Sequence, residues 1–193
     1  VLRSLRDDAY EMKVLVISAA YPPMHAGEAT NTYHLCRQLA EREIEVHVLT
    51  SVGNGGTNDP RIHVHPIMRT WGWLELPRVR SFLKSCAPDA IFLMYIGLMY
   101  RFHPMVTFLP TLSKRLFPDV PFVSRYESAF VGADPSKTSH VSRLFRKLMV
   151  RWAGTKDVAY SSGTLLRDSD VVIALCERHR TMLIEEWAPV SKK

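Results

Sequence analysis

The chain has 193 residues, of which 47% are hydrophobic and 23% are charged, a composition that is typical of an ordinary globular domain. Its formal net charge is +6, and its three cysteines lack the C-x-x-C spacing of a zinc or redox motif. These features exclude a disordered chain and a disulfide scaffold, and they favour reduced core thiols at Cys36, Cys86 and Cys176.

The start of the chain is polar and charged and lacks the pattern of a secretory signal, so we interpret residues 1–11 as an N-terminal extension. The longest apolar run, Ile91 to Tyr100, is well below the roughly 20 residues that a membrane span needs. We therefore expect a cytoplasmic protein, and peripheral contact at the inner face of the membrane is left open.

A strand, a loop, a helix and a second strand are predicted in succession over residues 12–50. Met12 to Ser18 is a continuous apolar strand, the loop ends at Gly27, and Glu45 to Thr50 is the second strand. This order places backbone N–H groups and the positive end of a helix dipole at the carboxyl edge of a parallel sheet, where anions bind. Thr30 and Asn31 are predicted to cap the helix amides. No G-x-G-x-x-G follows the first strand, so a dinucleotide fingerprint is excluded, and a plain strand–helix connection is the alternative.

Strands and helices continue to alternate along the rest of the chain. Strands are predicted at 61–67, 89–96, 121–127 and 170–175, and helices at 76–86 and 104–117, the second kinked or broken at Pro110. The alternation predicts an α/β fold with a doubly wound parallel sheet in a single Rossmann-like domain. His63 and His65 share one face of their strand. Because the sequence does not show further ligands, we prefer a surface or edge strand to a metal site.

Two stretches of the sequence resemble a known family. The second of them is Ser169 to Glu177, which is similar to the last element of the first domain in that family, with Cys176 where the family usually has Ser. The first carries, in the family's order and spacing, Tyr21-Pro22-Pro23, Gly27, Leu35, Leu39-Ala40 and Val46-His47-Val48-Leu49-Thr50. Together they resemble the N-terminal domain of the family 4 retaining glycosyltransferases, which have the GT-B fold. The resemblance assigns residues 12–193 to this acceptor-side domain and implies that the C-terminal donor-binding domain is absent from this chain.

The resemblance implies a hexosyltransferase-type enzyme that transfers a sugar from a nucleotide-diphosphate sugar to an acceptor hydroxyl. The acceptor would be a sugar, or a membrane-associated lipid or polysaccharide precursor. The family implies no metal and no cofactor, because backbone dipoles and basic residues, mostly in the other domain, stabilise the diphosphate. The chain without that domain is expected to be inactive. The alternative is a non-catalytic α/β binding or scaffold module.

The resemblance also implies which residues meet the donor. Gly27 would approach the donor diphosphate, flanked by Ala26, which stands where the family usually has a second glycine, and by Glu28. Arg125, Tyr126 and Glu127 follow at the carboxyl end of a predicted strand, where many family members have a polar His-Asp pair. We predict Tyr126 and Glu127 as catalytic candidates, with Glu127 as a base or a hydrogen-bond acceptor, and Arg125 as a binding residue. A salt bridge between Glu127 and Arg125 is the alternative.

A basic segment lies between Ser136 and Lys156. It holds six lysines and arginines and no acid, and its apolar residues recur at helical spacing: Val141, Leu144, Phe145, Leu148, Met149 and Trp152. Such a helix can lie on anionic lipid or bind an anionic acceptor through Arg143, Arg146, Lys147 and Arg151. Packing of the apolar stripe on the sheet is the alternative. Nucleic acid is not expected as a partner, because no binding motif accompanies the charge.

Overall fold

A computed structural model of the chain describes residues 12–56, 59–127, 140–154 and 164–186. The strands in these residues are β1 (Lys13–Ile17), β2 (Glu45–Ser51), β3 (Ile62–Met68), β4 (Ala90–Tyr95), β5 (Phe122–Tyr126) and β6 (Val171–Ala174). The helices are α1 (Gly27–Ala40), α2 (Leu76–Cys86), α3 (Leu109–Leu116), α4 (His140–Trp152), the single turn α5 (Leu165–Asp168) and α6 (Glu177–Glu186).

The six strands form one parallel sheet in the order β3-β2-β1-β4-β5-β6. The chain first builds outward from β1 to β3, and it then returns to add β4 on the other side of β1. Between β1 and β4 the direction of winding reverses, and open α/β sheets bind their ligands beyond the carboxyl ends of such a pair of strands. The predicted doubly wound, Rossmann-like α/β fold is confirmed.

The central strands of the sheet are buried between two hydrophobic layers, whereas the edge strands β3 and β6 are partly exposed. Val14 and Val16 of β1 pack in the layer formed with α1, whereas Leu15 and Ile17 pack in a larger layer formed with α2 and α3. Successive side chains of a strand point to opposite faces, so a strand that is covered on both faces must be apolar at nearly every position. This requirement explains the uninterrupted apolar run of β1.

The predicted boundaries agree closely with the structure, except before α3. The helix predicted at 76–86 is α2, with the same bounds. The single helix predicted from Pro104 was wrong, because a 3₁₀ turn at Val106–Phe108 precedes α3, which begins only at Leu109. Pro110 lies in the first turn of α3, where the missing N–H of proline has no intrahelical partner to lose.

The cysteines divide into two groups. Cys36 and Cys86 are buried, and burial raises the pKa of the Cys36 thiol to about 12 and that of Cys86 to about 11. Both are the inert core thiols that the sequence predicts. Cys176 is exposed, so its prediction as a core thiol was wrong: it follows the edge strand β6 at the surface.

Within the described part of the chain, the helices are all too short or too polar to cross a lipid bilayer.

Candidate functional site

A pocket of about 630 Å³ lies at the carboxyl edge of the sheet, beside the pair β1 and β4. Its walls come from the loops that follow β1, β3 and β4 and from the end of β2, with the lining residues Ala19, Met24, Ser51, Arg69, Thr70, Trp71, Gly72, Met99, Tyr100, Arg101 and His103. This is where an open α/β sheet binds its ligand. The pocket is therefore the candidate functional site of the described residues.

The floor of this pocket is anchored at Ala19, in the loop between β1 and α1. The Ala19 carbonyl oxygen accepts hydrogen bonds from Ser51 Oγ at 2.9 Å and from Asn54 Nδ2 at 3.1 Å. Its N–H donates to the Tyr100 hydroxyl at 3.3 Å, and the Ser51 hydroxyl accepts from Trp71 Nε1 at 2.9 Å. The Ala19 backbone therefore connects the loop after β1 directly to the end of β2 and to the loop after β4, and it connects to the loop after β3 through Ser51.

Tyr100 is the most deeply buried member of this group, with 1% of its surface exposed. Its hydroxyl donates to the Met94 carbonyl oxygen at 2.9 Å while it accepts from the Ala19 N–H. Burial raises the pKa of Tyr100 well above its usual range, so the phenol stays neutral. Its ring meets Trp71 edge-on, with 5.0 Å between the ring centroids. Tyr100 thus holds the end of β4 to the β1–α1 loop, directly across the position where winding reverses.

His103 supplies the pocket with a neutral imidazole. Its Nδ1 lies 3.1 Å from the backbone nitrogen of Met105, which can only donate, so Nδ1 is the acceptor and Nε2 carries the proton. Burial lowers the pKa of His103, which keeps the ring neutral at pH 7. Trp73 contacts the ring edge-on at 5.4 Å and fixes its plane. His103 can therefore donate a hydrogen bond from Nε2 to a ligand oxygen.

Two arginines give the pocket its positive charge. Arg69 follows β3 and Arg101 follows β4, and both are exposed to solvent. Arg101 and Phe102 both have φ of +52°, in the left-handed region that residues other than glycine seldom adopt. The Phe102 N–H donates a hydrogen bond to the Gly97 carbonyl oxygen at 2.7 Å, which closes this turn. Residues in such strained conformations cluster at ligand sites, and here Arg101 lines the pocket with Phe102 next to it in the chain.

The N-terminus of α1 lies after the same β1 loop. Its N-cap residue Ala26 is extended, with φ of −147°, and makes no side-chain cap. The predicted capping by Thr30 was wrong: its hydroxyl lies 3.3 Å from the Ala26 carbonyl oxygen and donates backward along the helix. Beside Gly27 a Cβ would meet no atom within 4 Å, and Glu28 follows in the first turn. The helix N-terminus therefore presents its amides next to open space, and the diphosphate contact there stays a prediction.

The three residues predicted at the end of β5 divide between the two faces of the sheet. Arg125 Nε lies 2.6 Å from Glu127 Oε1, so the alternative of a salt bridge is present. Tyr126 is buried between the rings of Tyr95 and His179, at centroid distances of 5.3 and 5.5 Å. In the described residues, none of these three lines the 630 Å³ pocket. Their catalytic and binding roles stay predictions.

The predicted basic helix is present as α4, but its apolar stripe is largely uncovered by described residues. Met149 is buried and the Phe145 ring stacks on Trp73. The exposed fractions of the other large apolar side chains are 64% for Val141, 59% for Leu144 and 55% for Leu148. Three of the four predicted basic residues, Arg143, Lys147 and Arg151, are exposed, and Arg146 is half-buried. Packing on the sheet therefore accounts for only part of the stripe.

A groove of about 730 Å³ runs between α2, α3 and α4. Its walls are mostly apolar, and the cations at its rim are Arg80, Lys84 and Arg115. The Arg115 guanidinium lies 4.1 Å above the Trp152 ring and donates to the Trp152 carbonyl oxygen. The exposed Leu148 belongs both to this groove and to the stripe of α4, so the two form one continuous apolar surface with basic borders.

Sequence reasoning placed the loop after the first strand, which contains Ala19 and Met24, at this edge of the sheet, but it did not single out the basic and aromatic residues that line the pocket. Arg69 and Trp71 follow the edge strand β3, and Arg101 and His103 follow β4. The signal was present in the sequence, since both groups are basic and aromatic residues placed directly after predicted strands. What was missing was the strand order, which places β3 and β4 on either side of β1, so that the loops after these two strands meet the β1 loop at the same edge of the sheet.

Fold and pocket together define a Rossmann-like α/β domain with a cationic ligand pocket at the position where its sheet reverses winding. The family model described as "Glycosyl transferase 4-like" matches residues 24–151, more than half of the chain. The chain therefore belongs to the glycosyl transferase 4-like family, and the resemblance found in the sequence is confirmed.

Two solved structures match part of the chain at low identity. The Bordetella bronchiseptica enzyme WbmH, solved with NAD+, is 12% identical with a TM-score of 0.44, covering 76% of this chain and 54% of that one. The UDP-glucose 4-epimerase of Thermotoga maritima, solved with UDP-glucose, is 13% identical with a TM-score of 0.42, covering 75% of this chain and 53% of the epimerase. The chain thus spans about half the length of each. The comparison with curated proteins gives no significant match.

Proposed function

We propose that the chain is the acceptor-side domain of a retaining glycosyltransferase, which transfers a sugar from a nucleotide-diphosphate sugar to an acceptor hydroxyl. The observation that carries the proposal is the cationic pocket at the carboxyl ends of β1 and β4 in a chain of the glycosyl transferase 4-like family. The donor would be held between this pocket and a second, donor-binding domain.

In this proposal the described residues supply charge and hydrogen bonds, without a metal or cofactor in the reaction. Arg69 and Arg101 would offset the negative charge that grows on the diphosphate as the sugar departs. His103 would donate its Nε2 proton to an oxygen of the donor or acceptor. Glu127 could act as a base only if its ion pair with Arg125 opened.

The decisive experiment incubates the complete product of the gene with a panel of nucleotide-diphosphate sugars and hydroxyl acceptors, including extracted membrane lipids. We expect release of nucleoside diphosphate together with a glycosylated acceptor. NMR of the product would show whether the anomeric configuration of the donor is kept. A folded protein that releases nucleoside diphosphate from none of the donors would contradict the proposal and favour the non-catalytic scaffold module.

Gly27 offers a sharper test of the same proposal. In the complete enzyme, Gly27→Val should lower turnover more than tenfold, about 1.4 kcal/mol or more, because the side chain would occupy the space where the diphosphate meets the amide. Gly56→Val in the β2–β3 turn is the matched control, since a Cβ there also meets no atom within 4 Å. Equal turnover in both variants would remove Gly27 from the donor site.

We further propose that α4 docks the domain on an anionic membrane surface, where a lipid-linked acceptor would be available. Two features of α4 support this step: its apolar side chains Val141, Leu144 and Leu148 are exposed, and Arg143 and Lys147 lie on the same helix. Helices with exposed apolar and basic faces bind at the boundary between headgroups and acyl chains.

A further inference from the structure

Far from the pocket, at the amino ends of the strands, three potential metal ligands come together on β2 and β3. Glu45 and His47 project from β2, and His63 projects from β3. The register of the two strands places His47 directly opposite His63. Since β2 and β3 are parallel, side chains at paired positions leave the same face of the sheet. One carboxylate and two imidazoles therefore share one patch, and β2 supplies the ligands that inspection of His63 and His65 alone did not reveal.

The distances between these groups suit a small transition-metal ion. Glu45 Oε1 lies 2.9 Å from His47 Nε2 and 3.6 Å from His63 Nε2. The three ligand atoms all lie within 4.8 Å of one another. Zinc binds such atoms at about 2.0–2.2 Å in tetrahedral geometry, which places neighbouring ligand atoms about 3.3 Å apart. The two measured separations from the carboxylate lie on either side of that value, so small side-chain shifts would complete three corners of a tetrahedron.

A further histidine, His65, already contacts His47. His65 Nε2 lies 2.9 Å from His47 Nδ1, and the two rings stack with 3° between their planes. When His47 Nε2 binds a metal ion it carries no proton, so the neutral ring has its proton on Nδ1 and can donate it to His65 Nε2. Metal-bound histidines are usually oriented by a hydrogen bond of this kind from the ring nitrogen that does not bind the metal. The Phe82 ring packs on the His65 ring, with 4.8 Å between the ring centroids, and so restricts the orientation of His65.

The positive charge of Lys13 opposes the binding of a cation at this cluster. Lys13 Nζ lies 3.9 Å from Glu45 Oε2, the carboxylate oxygen that is turned away from His47. The ammonium would repel a bound metal without blocking the ligand atoms. It therefore lowers the affinity of the cluster, and its removal becomes a useful variant.

We propose that Glu45, His47 and His63 bind one divalent transition-metal ion of the zinc class, with a fourth position open to water. Carboxylate and imidazole ligands suit zinc rather than calcium or magnesium. The site lies at the end of the sheet opposite the proposed transfer reaction, so its role is structural. The ion would join the edge strand β3 to β2 across the connection at residues 52–61.

The test uses Zn²⁺ on the whole chain, freed of metal and carrying Cys176→Ser so that the exposed thiol cannot bind the ion. We expect one equivalent of bound Zn²⁺ by calorimetry with a competing chelator, and a melting temperature that rises with added Zn²⁺. Co²⁺ should give the strong visible absorption bands of tetrahedral coordination. His63→Asn and Glu45→Gln should abolish this binding, and Lys13→Met should tighten it.

Matched variants separate the site from general histidine binding, because the chain has eight histidines. His34→Asn, an exposed position on α1, should leave Zn²⁺ affinity unchanged. His65→Asn should weaken it about tenfold to a hundredfold, as expected for a residue that positions a ligand. Absence of stoichiometric Zn²⁺ binding would overturn the proposal. So would binding that survives both His63→Asn and Glu45→Gln in variants with unchanged circular dichroism.

Discussion

The Tyr100 hydroxyl makes two hydrogen bonds at the carboxyl edge of the parallel sheet. It accepts from the Ala19 N–H and donates to the Met94 carbonyl, and all of these groups are buried. The loop after β1 has no regular hydrogen-bond ladder of its own at this point. Its backbone is therefore satisfied by a side chain from the other half of the sheet, and the two halves of the pocket become dependent on each other.

Tyr100→Phe should lower the free energy of unfolding by about 1–3 kcal/mol, because it leaves the buried Ala19 N–H without its acceptor. Chemical denaturation of the chain measures this difference. Tyr33→Phe on α1, where the tyrosine is only half-buried, is the matched control and should change stability by less than about 0.5 kcal/mol. Equal effects of the two substitutions would show that the bridge contributes no more than an ordinary tyrosine hydroxyl.

His103 makes stability depend on pH. Burial lowers its pKa below the usual value of about 6.5, so as the pH falls the unfolded chain takes up this proton before the folded protein does. The folded state therefore loses stability as the pH falls below about 6.5, and it loses none from this residue above that value. His65 acts in the same direction, because burial and then the neighbouring His47 and His63 lower its pKa.

His103→Asn should make the free energy of unfolding fall less steeply between about pH 7 and 5. Asparagine can still accept from the Met105 N–H but does not titrate. The check is a series of urea titrations across this range. An unchanged slope in the His103 variant would show that this ring does not titrate differently on folding.

At the scale of single elements, the sequence predicts best where local pattern and burial agree. β1 and α2 were predicted nearly residue for residue, because a strand covered on both faces must be apolar throughout and a helix with one apolar face must repeat every 3.6 residues. Pro110 was predicted to kink or break one helix, but it lies in the first turn of α3, because proline marks helix starts as well as breaks. The exposure of the α4 stripe depends on what packs near it, which periodicity does not reveal.

The proposed role of α4 can be tested with charge reversal. Arg143→Glu with Lys147→Glu should abolish binding to anionic vesicles at low salt, because each cation near such a surface contributes about 1 kcal/mol. Reversal of Arg37 on α1 and of Arg42 in the turn that follows α1 changes the net charge equally and should leave binding intact. Binding should also weaken as salt rises, since the Debye length falls to about 8 Å at physiological ionic strength. An unsubstituted chain that ignores anionic vesicles at low salt would remove the membrane role.

At the scale of the whole molecule, strand order decided what sequence reasoning could find. The alternation of elements predicted the fold class, and family motifs identified the first loop. The pocket, however, combines Arg69 after β3 with His103 after β4, which lie on opposite sides of β1 in the sheet. The pairing of His47 with His63 likewise depends on register between neighbouring strands. Neither arrangement is visible before the strands are placed.

The proposal of a second, donor-binding domain leads to a prediction for the chain alone. Because the proposed donor contacts lie mostly on a second domain, the isolated chain should bind nucleotide-diphosphate sugars weakly and hydrolyse them negligibly. Calorimetry and a donor-hydrolysis assay measure both properties. Micromolar affinity or steady turnover by the isolated chain would mean that the pocket between β1 and β4 is a sufficient donor site.

The hydrogen bonds around Ala19 have a consequence for the thermodynamics of recognition. Both polar groups of this backbone unit are already engaged by Ser51, Asn54 and Tyr100, so this part of the pocket has its binding shape before any ligand arrives. Ordering a flexible loop on binding consumes conformational entropy, and a preorganised wall avoids that loss. A ligand of this pocket should therefore bind with a small entropic penalty from the β1 side. The remaining entropic penalty would come from the exposed side chains of Arg69 and Arg101, which must become ordered when they bind a negatively charged ligand.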